Sequence, residues 1–414
     1  MSRHASILFF VVVALVAVVF NKTNIGNNFS ARISSLASLF YGVTSTPEQL
    51  RSDYTTRKIK ILLVPGHDNE FWGTEYQGTK EADLNLAMAE KIRSFFDVDD
   101  RFDISITRGI DGNYEPWFVQ YVKDHDAEVS SWEQEQKKEF TQALANGFVT
   151  REEKVVHNDA PSSVARYLYA INKYSSENDI DLVLHIHFND YSGRRQNAEG
   201  KYTGFAIYVP EGQFPNASSS TAVAEAIRSR LASYFAGSNM PDESSAVIPD
   251  QDLIAVGANG TQKKAALLVE YGYIYESQFS DPAVRDILLT ELAGQTYAGV
   301  IDFFEAGKNS TTSRNSSISL LPHVWSGPIV PSEDRTTETL SLQAALHSDG
   351  LYPPTGETLN DCPVSGKYGA CTRKAVKAFQ EKFADTILAP MGLNVGTGVA
   401  GPRTIAVFNK LYSK

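Results

Sequence analysis

The chain is short of cysteine, of basic charge and of long apolar runs, and each shortage closes off a class of protein. With two cysteines in 414 residues, Cys362 and Cys371, a disulfide-built scaffold is out, and with no third or fourth nearby a zinc ribbon is a poor reading. Lys and Arg total 38 against 49 Asp and Glu, a formal net charge of -11, and basic pairs such as Arg57-Lys58 and Lys263-Lys264 are scattered. Nucleic acid is therefore disfavoured as a partner, because phosphate contacts need clustered Lys and Arg. The apolar run from Ile7 to Phe20 has fourteen residues and follows Arg3 and His4. That length suits the apolar core of a secretory signal and falls short of the roughly 20 residues expected of a spanning helix. No clean small-x-small cleavage site follows, Leu15-Val16-Ala17 being a poor one. Residues 1–22 thus read as a cleaved signal peptide or as a retained membrane tether through residues 7–20, and in both cases the rest of the chain is exported. In an exported protein Cys362 and Cys371 could staple the loop before a helix, whereas in the cytosol they would be two unpaired thiols.

What is present is a chain with 42% hydrophobic content and room for two folded domains. Buried strands are expected at Lys58 to Val64, Phe102 to Thr107, Asp181 to Phe188, Gly204 to Val209 and Ala265 to Gly272. Helices are expected after Thr79, which can cap the first of them, with Leu84, Met88, Ile92 and Phe95 at helical spacing, and at Ser162 to Tyr174, Thr221 to Phe235 and Pro282 to Phe304. Asp159, Ser162 and Asp281 near Pro161 and Pro282 suit helix starts. This alternation predicts an α/β fold, a mostly parallel twisted sheet flanked by helices.

Four residues stand at the ends or starts of these elements: His67 after Pro65-Gly66, Glu81 in a helix's first turn, His187 near the end of its strand, and Glu270 after Leu267-Leu268-Val269. Two imidazoles and a carboxylate are a recurrent set for a catalytic zinc ion with one position left for water, and a further carboxylate can accept that water's proton. In open α/β sheets ligands gather beyond the carboxyl ends of strands, where the three strand-borne residues lie. Taken singly, Glu81 fits a solvated residue favoured by the helix dipole and His67 fits an ordinary loop histidine. Glu270, directly after an apolar run, is a half-buried carboxylate that needs a partner. His185 and His187 share a strand face, and only one of them need bind metal.

Between Thr107 and Pro161 lies an insertion. Ser130 to Asn146 could form a charged helix, and Trp117 and Phe118 could stack on sugar rings. Residues 308–337, rich in Ser, Thr and Pro, read as a linker. Three short helices are expected beyond, near Leu340 to His347, Thr372 to Phe383 and Arg403 to Leu411. Before the second and third stands a repeated Gly-x-x-Thr, Gly369 to Thr372 and Gly401 to Thr404, in which Thr can cap the helix.

Val64-Pro65-Gly66-His67, Lys80-Glu81-Ala82-Asp83-Leu84-Asn85-Leu86, His185-Ile186-His187-Phe188-Asn189 and Leu268-Val269-Glu270-Tyr271-Gly272-Tyr273, in this order, resemble the zinc-dependent N-acetylmuramoyl-L-alanine amidases of the Amidase_3 type. The resemblance covers Lys58 to Gly307. It implies zinc ligands at His67, Glu81 and His187 and a catalytic carboxylate at Glu270. The sequence departs from the pattern at His185, where the family has a small Ser, and a packed or supporting place for His185 is preferred. Some relatives carry a helix in the region of the 111–160 insertion that blocks the cleft, so a regulatory lid and a plain surface elaboration both stay open. The C-terminal piece, Glu338 to Lys414, resembles the small three-helix peptidoglycan-binding domain of the PG_binding_1 type on its Gly-x-x-Thr repeat with Leu342-Gln343, Ala375-Val376, Phe379-Gln380 and Gly392-Leu393. The domains expected are 1–22 signal or anchor, 23–57 linker, 58–307 zinc amidase, 308–337 linker and 338–414 wall-binding module. The resemblance implies an exported enzyme of the periplasm or cell wall with peptidoglycan as substrate, cutting between N-acetylmuramic acid and L-alanine with zinc-activated water. A zinc peptidase acting within the stem peptide, or a non-catalytic wall-binding protein, is the alternative. No activator protein is readable.

Overall fold

The computed structural model describes residues 45–152, 160–258, 260, 263–306 and 317–414. The export signal or tether expected at residues 1–22, the first part of the 23–57 linker, the cap expected at Asp159 and residues 308–316 lie outside the described residues. Among the described residues no helix is long and apolar enough to cross a membrane.

In chain order the larger part contains α1 (Pro47–Thr56), β1 (Ile59–Pro65), a hairpin of β2 (Glu75–Tyr76) and β3 (Thr79–Lys80), α2 (Glu81–Phe96), β4 (Phe102–Ile106), α3 (Pro116–Asp124), α4 (Asp126–Ala145), α5 (Ser162–Glu177), β5 (Leu182–Asn189), β6 (Ala206–Pro210), α6 (Ala217–Leu231), β7 (Val247–Asp250), β8 (Ala265–Tyr273), a one-turn α7 (Ser277–Ser280) and α8 (Pro282–Phe304). Six strands form one sheet in the order β4-β1-β5-β8-β6-β7, parallel throughout except where β6 meets β8. The most apolar runs, β1, β5 and β8, take the centre, as strands covered on both faces must. Their side chains alternate between two cores. Leu63, Leu184, Ile186, Leu267 and Val269 face α2, α6 and α8, whereas Leu62, Val64, Val183, Ala266 and Leu268 face α3, α4 and α5.

Three differences from the sequence reading have physical causes. Residues 47–56, within the expected linker, form a helix capped by Thr46, and Leu50 and Tyr54 enter the core, where the Tyr54 ring stacks 4.8 Å from Phe304. The short β7 carries no strand signal in its sequence because it contains Pro249, which an edge strand tolerates with that residue exposed. Thr79 does not cap α2, since it belongs to β3 and pairs with Tyr76, leaving Lys80 at the cap position without a side-chain cap bond.

The C-terminal part holds β9 (Ser332–Arg335), α9 (Thr337–Ser348), β10 (Lys367–Tyr368), α10 (Ala370–Lys382), a one-turn α11 (Ala384–Ile387) and α12 (Pro402–Tyr412). Its repeat is built on glutamine rather than on threonine capping. Gln343 accepts from the Ser365 and Gly366 amides and donates to Lys367 O and Thr372 Oγ1; Gln380 accepts from the Thr397 and Gly398 amides and donates to Val399 O and Thr404 Oγ1. Each Thr is buried as a partner of that amide, and Gly369 and Gly401 occupy the cap positions. Cys362 and Cys371 are joined by a disulfide. Within the stretch of linker-like composition, residues 317–325 are anchored: Glu291 on α8 accepts from Ser317, Ile318 and Ser319, and Leu320 and Trp325 are buried.

Candidate metal centre

The carboxyl ends of β1, β5 and β8 bring the site together. Immediately after β1 the chain turns at Gly66, whose N–H donates to Ile186 O on the neighbouring strand, and His67 adopts a left-handed φ of 61°. Such a conformation is costly for a residue with a side chain and persists only where its surroundings enforce it. The enforcement is visible. Gly66 O accepts from Asn85 Nδ2 at 3.0 Å and from Arg108 Nη1 at 3.2 Å, and Arg108 also donates to Ala82 O at 3.1 Å, tying the turn to the first turn of α2. Gly66 itself must be glycine, since a Cβ there would stand 2.1 Å from Cε1 of His187.

Glu81 opens α2 and is buried. Its Oε1 lies 3.1 Å from His67 Nε2 and 3.0 Å from His187 Nδ1, and its Oε2 accepts from the Thr74 amide at 3.1 Å. One ligand atom from each of His67, Glu81 and His187 lies within 4.8 Å of the others, a group that can hold a metal ion. Two imidazoles converging on one carboxylate oxygen in a largely dry setting match the nitrogen and oxygen donor set of a divalent transition metal. Burial by itself would raise the Glu81 carboxyl, but the His67 and His187 imidazoles prevail and hold it well below the usual carboxylate range. His67 is lowered by burial and raised more strongly by Glu81, whereas for the deeper His187 burial wins and its proton affinity falls.

Glu270 stands beside His187 in the β5–β8 register and opposite Ala206 of β6. Its Oε2 is buried without a hydrogen-bond partner among the described residues. Burial first, then the charges of Glu81 and Glu243, push its carboxyl well above the ordinary range. His185 is fully buried on the same face as His187, between Val64 and Leu268, with neither ring nitrogen hydrogen-bonded among the described residues. Burial and the neighbouring His187 push it down to about 3, so it packs as a neutral ring apart from the triad.

Several residues here had no sequence signal. Glu243, on a short turn after Pro241, is buried and accepts from Asn189 Nδ2 at 2.8 Å, Tyr208 Oη at 2.6 Å, Ser238 Oγ at 2.5 Å and Tyr273 Oη at 2.9 Å. Arg108 is wholly buried among backbone carbonyls instead of carboxylates. Trp117 and Phe118, expected as candidates for sugar stacking, serve the core instead: Phe118 is buried and Trp117 packs 4.9 Å from Tyr174. The inserted helix α4 lies against α5, through Glu128 to Lys173 and Trp132 to Tyr169, and reaches Phe214 through Phe140.

Residues 61–302 match the family described as N-acetylmuramoyl-L-alanine amidase, and residues 335–408 match a peptidoglycan binding domain. No curated protein matches the chain. Among solved structures, an N-acetylmuramoyl-L-alanine amidase from Clostridium difficile 630 is 14% identical with a TM-score of 0.38, covering 61% of this chain and 100% of its own. The amidase Ami1 from Mycobacterium smegmatis is 13% identical with a TM-score of 0.38, covering 60% and 98%. The catalytic domain of CwlV from Bacillus (Paenibacillus) polymyxa is 16% identical with a TM-score of 0.35, covering 59% and 96%. With more than half of its length matched by one family and a His-Glu-His group at the carboxyl edge of the sheet, the chain belongs to the N-acetylmuramoyl-L-alanine amidases.

Proposed function

We propose that His67, Glu81 and His187 hold zinc and that Glu270 is the catalytic carboxylate in hydrolysis of the amide between the lactyl group of N-acetylmuramic acid and L-alanine. The observation that carries this reading is the convergence of the three ligand atoms within 4.8 Å, with Glu270 on the strand next to His187. When bound by such a set, zinc supplies a Lewis acid that polarises a carbonyl and brings the pKa of water to about 7. The chain's residues do the rest. Glu81 and the two histidines orient the site, and the Glu270 carboxylate takes a proton from the attacking water. Its surroundings favour the protonated form, so it can hold that proton until the C–N bond breaks and the L-alanine nitrogen receives it. Water's oxygen ends in the lactyl carboxylate; its first proton reaches the L-alanine nitrogen through Glu270, and its second, released as the new carboxyl group ionises, converts that amine to an ammonium.

The apolar run of residues 7–20 supports an exported enzyme, as a cleaved signal or a tether, and the C-terminal module supports peptidoglycan as its partner. The test is digestion of purified sacculi with the metal-loaded protein. New L-alanine amines and free lactyl carboxyls are expected, with zinc at one equivalent lost in His187→Ala and kept in His185→Ala. Cuts confined to bonds within the stem peptide would replace the amidase reading by a peptidase one, and no cuts at all would leave a wall-binding protein.

A further inference from the structure

Among the described residues every aromatic ring is buried or half-buried except two: Phe71 and Trp72 are 38% and 39% exposed. They are consecutive, and they sit on the loop that leaves His67 and ends at Gly73. Leaving more than a third of two adjacent aromatic side chains in water opposes the hydrophobic effect, and contiguous exposed apolar surface marks contact sites. The loop is not loose. Asp68 Oδ1 accepts from the Glu70 and Phe71 amides at 2.8 and 2.7 Å, and Trp72 O accepts from the Ala82 amide at 3.1 Å, so the carbonyl next to the indole is built into the start of α2. Lys80 Nζ stands 4.4 Å from the Trp72 ring centroid and steadies it from one side. Gly73, at φ 75°, brings the backbone so near the ligands that a Cβ would lie 2.3 Å from Glu81 Oε2 and 2.8 Å from His67 Nε2. Trp72 is thus joined directly to the residue whose backbone lies against the triad.

We propose that Phe71 and Trp72 are a stacking shelf for a pyranose ring of the glycan strand, the muramic acid whose lactyl arm carries the amide to be cut. This rests on the amidase reading. The bond hydrolysed hangs from that sugar by a short arm, so the ring must lie beside the triad, where these are the exposed rings the described residues offer. A pyranose presents a flat, uncharged face of C–H groups that suits an aromatic surface, whereas a stem peptide bearing carboxylates calls for cations and amides.

The experiment is calorimetric titration of the zinc-loaded full chain with peptide-free glycan strands and, separately, with free stem peptide. Wild type is expected to bind the glycan, and Trp72→Ala and Phe71→Ala each to weaken it about five- to tenfold, in keeping with the loss of one ring contact. Trp72→Phe should retain most of the affinity, and zinc content and stem-peptide binding should not change. With glycan-linked substrate the alanine variants should raise KM while kcat stays close to wild type. Glycan binding that is absent in wild type, equal in all variants, or left intact while only peptide binding falls would overturn the shelf. Failure of the amidase reading looks different, because wild type itself would then release no L-alanine amine from sacculi.

Discussion

The central strands carry a buried carboxylate cluster at each end, and the two ends are built on opposite principles. Where β5 begins, Asp181 is fully buried and saturated: Arg57 clasps both of its oxygens at 2.6 and 2.7 Å, the Lys60 amide donates at 3.0 Å, and Lys264 adds a further bond at 3.0 Å. Burial would raise that carboxyl, but these donors prevail and lower it. Where β5 and β8 finish, Glu270 has an oxygen with no donor and a proton affinity pushed upward, and Glu81 shares one oxygen between two imidazoles. A carboxylate given every partner holds strands together, while one denied partners is left with unspent affinity for a proton or a cation. On the proposed reading the difference places stability at one end and chemistry at the other, and it can be broken by experiment.

The largest effect is expected at the open end. Glu270→Gln keeps the size of the side chain and removes the proton acceptor, so kcat on sacculi should fall by about 10²- to 10⁴-fold, the usual worth of a positioned general base. Zinc content and melting temperature should stay near wild type, because the buried Oε2 of the carboxylate has no hydrogen bond among the described residues to lose. A variant that melted far lower at unchanged kcat would turn the comparison round. Gly66→Ala attacks the same end through sterics. Its Cβ would overlap the His187 ring, and zinc affinity should drop by about 10- to 100-fold, the range for a group that supports a ligand, measured by competition with a chelator.

At the saturated end the expected signature is the reverse. Asp181→Ala strips Arg57 and Lys264 of a shared partner and leaves the Lys60 amide without an acceptor, so unfolding in urea should show a loss of about 2 to 4 kcal/mol. The folded fraction should turn over sacculi at the wild-type rate. A specific loss of kcat in folded protein would show that the two ends are coupled.

The comparison also explains what could be read in advance. The grouping of His67, Glu81 and His187, with Glu270 on the strand next to His187, was legible because each ends or begins an apolar run and their blocks follow a known order, and the parallel sheet was legible from three strongly apolar strands. The helix Pro282–Phe304 was expected with the bounds it has, since Asp281-Pro282 is a strong start signal and Asp281 does accept from the Ala283 amide. Arg108, Glu243 and Gly73 were not legible. Their roles come from partners far along the chain: Arg108 reaches Gly66 and Ala82, and Glu243 collects donors from β5, β6 and β8. Phe71 and Trp72 fell in a short polar stretch between elements, where periodicity says nothing about which side faces water. The helix α1 was hidden for another reason, two buried apolar residues being too few to register as a pattern.

The smallest and finest test is the pH dependence of stability, where the sign can be worked out from Asp181 alone. Its folded pKa lies below the unfolded value of about 3.9, so it contributes stability that is complete above that unfolded value and is lost as pH falls through the folded one. The free-energy gap between wild type and Asp181→Asn should therefore be level from about pH 5 to 8 and should narrow only below about pH 4, as the unfolded chain takes up the proton first, until at lower pH the native carboxylate is protonated too. Urea melts of both proteins at a series of pH values measure that gap. A gap that instead closed between about pH 5 and 8 would mean that Asp181 binds its proton more tightly in the folded chain, as an unsatisfied carboxylate does, and the contrast between the two ends of the strands would vanish.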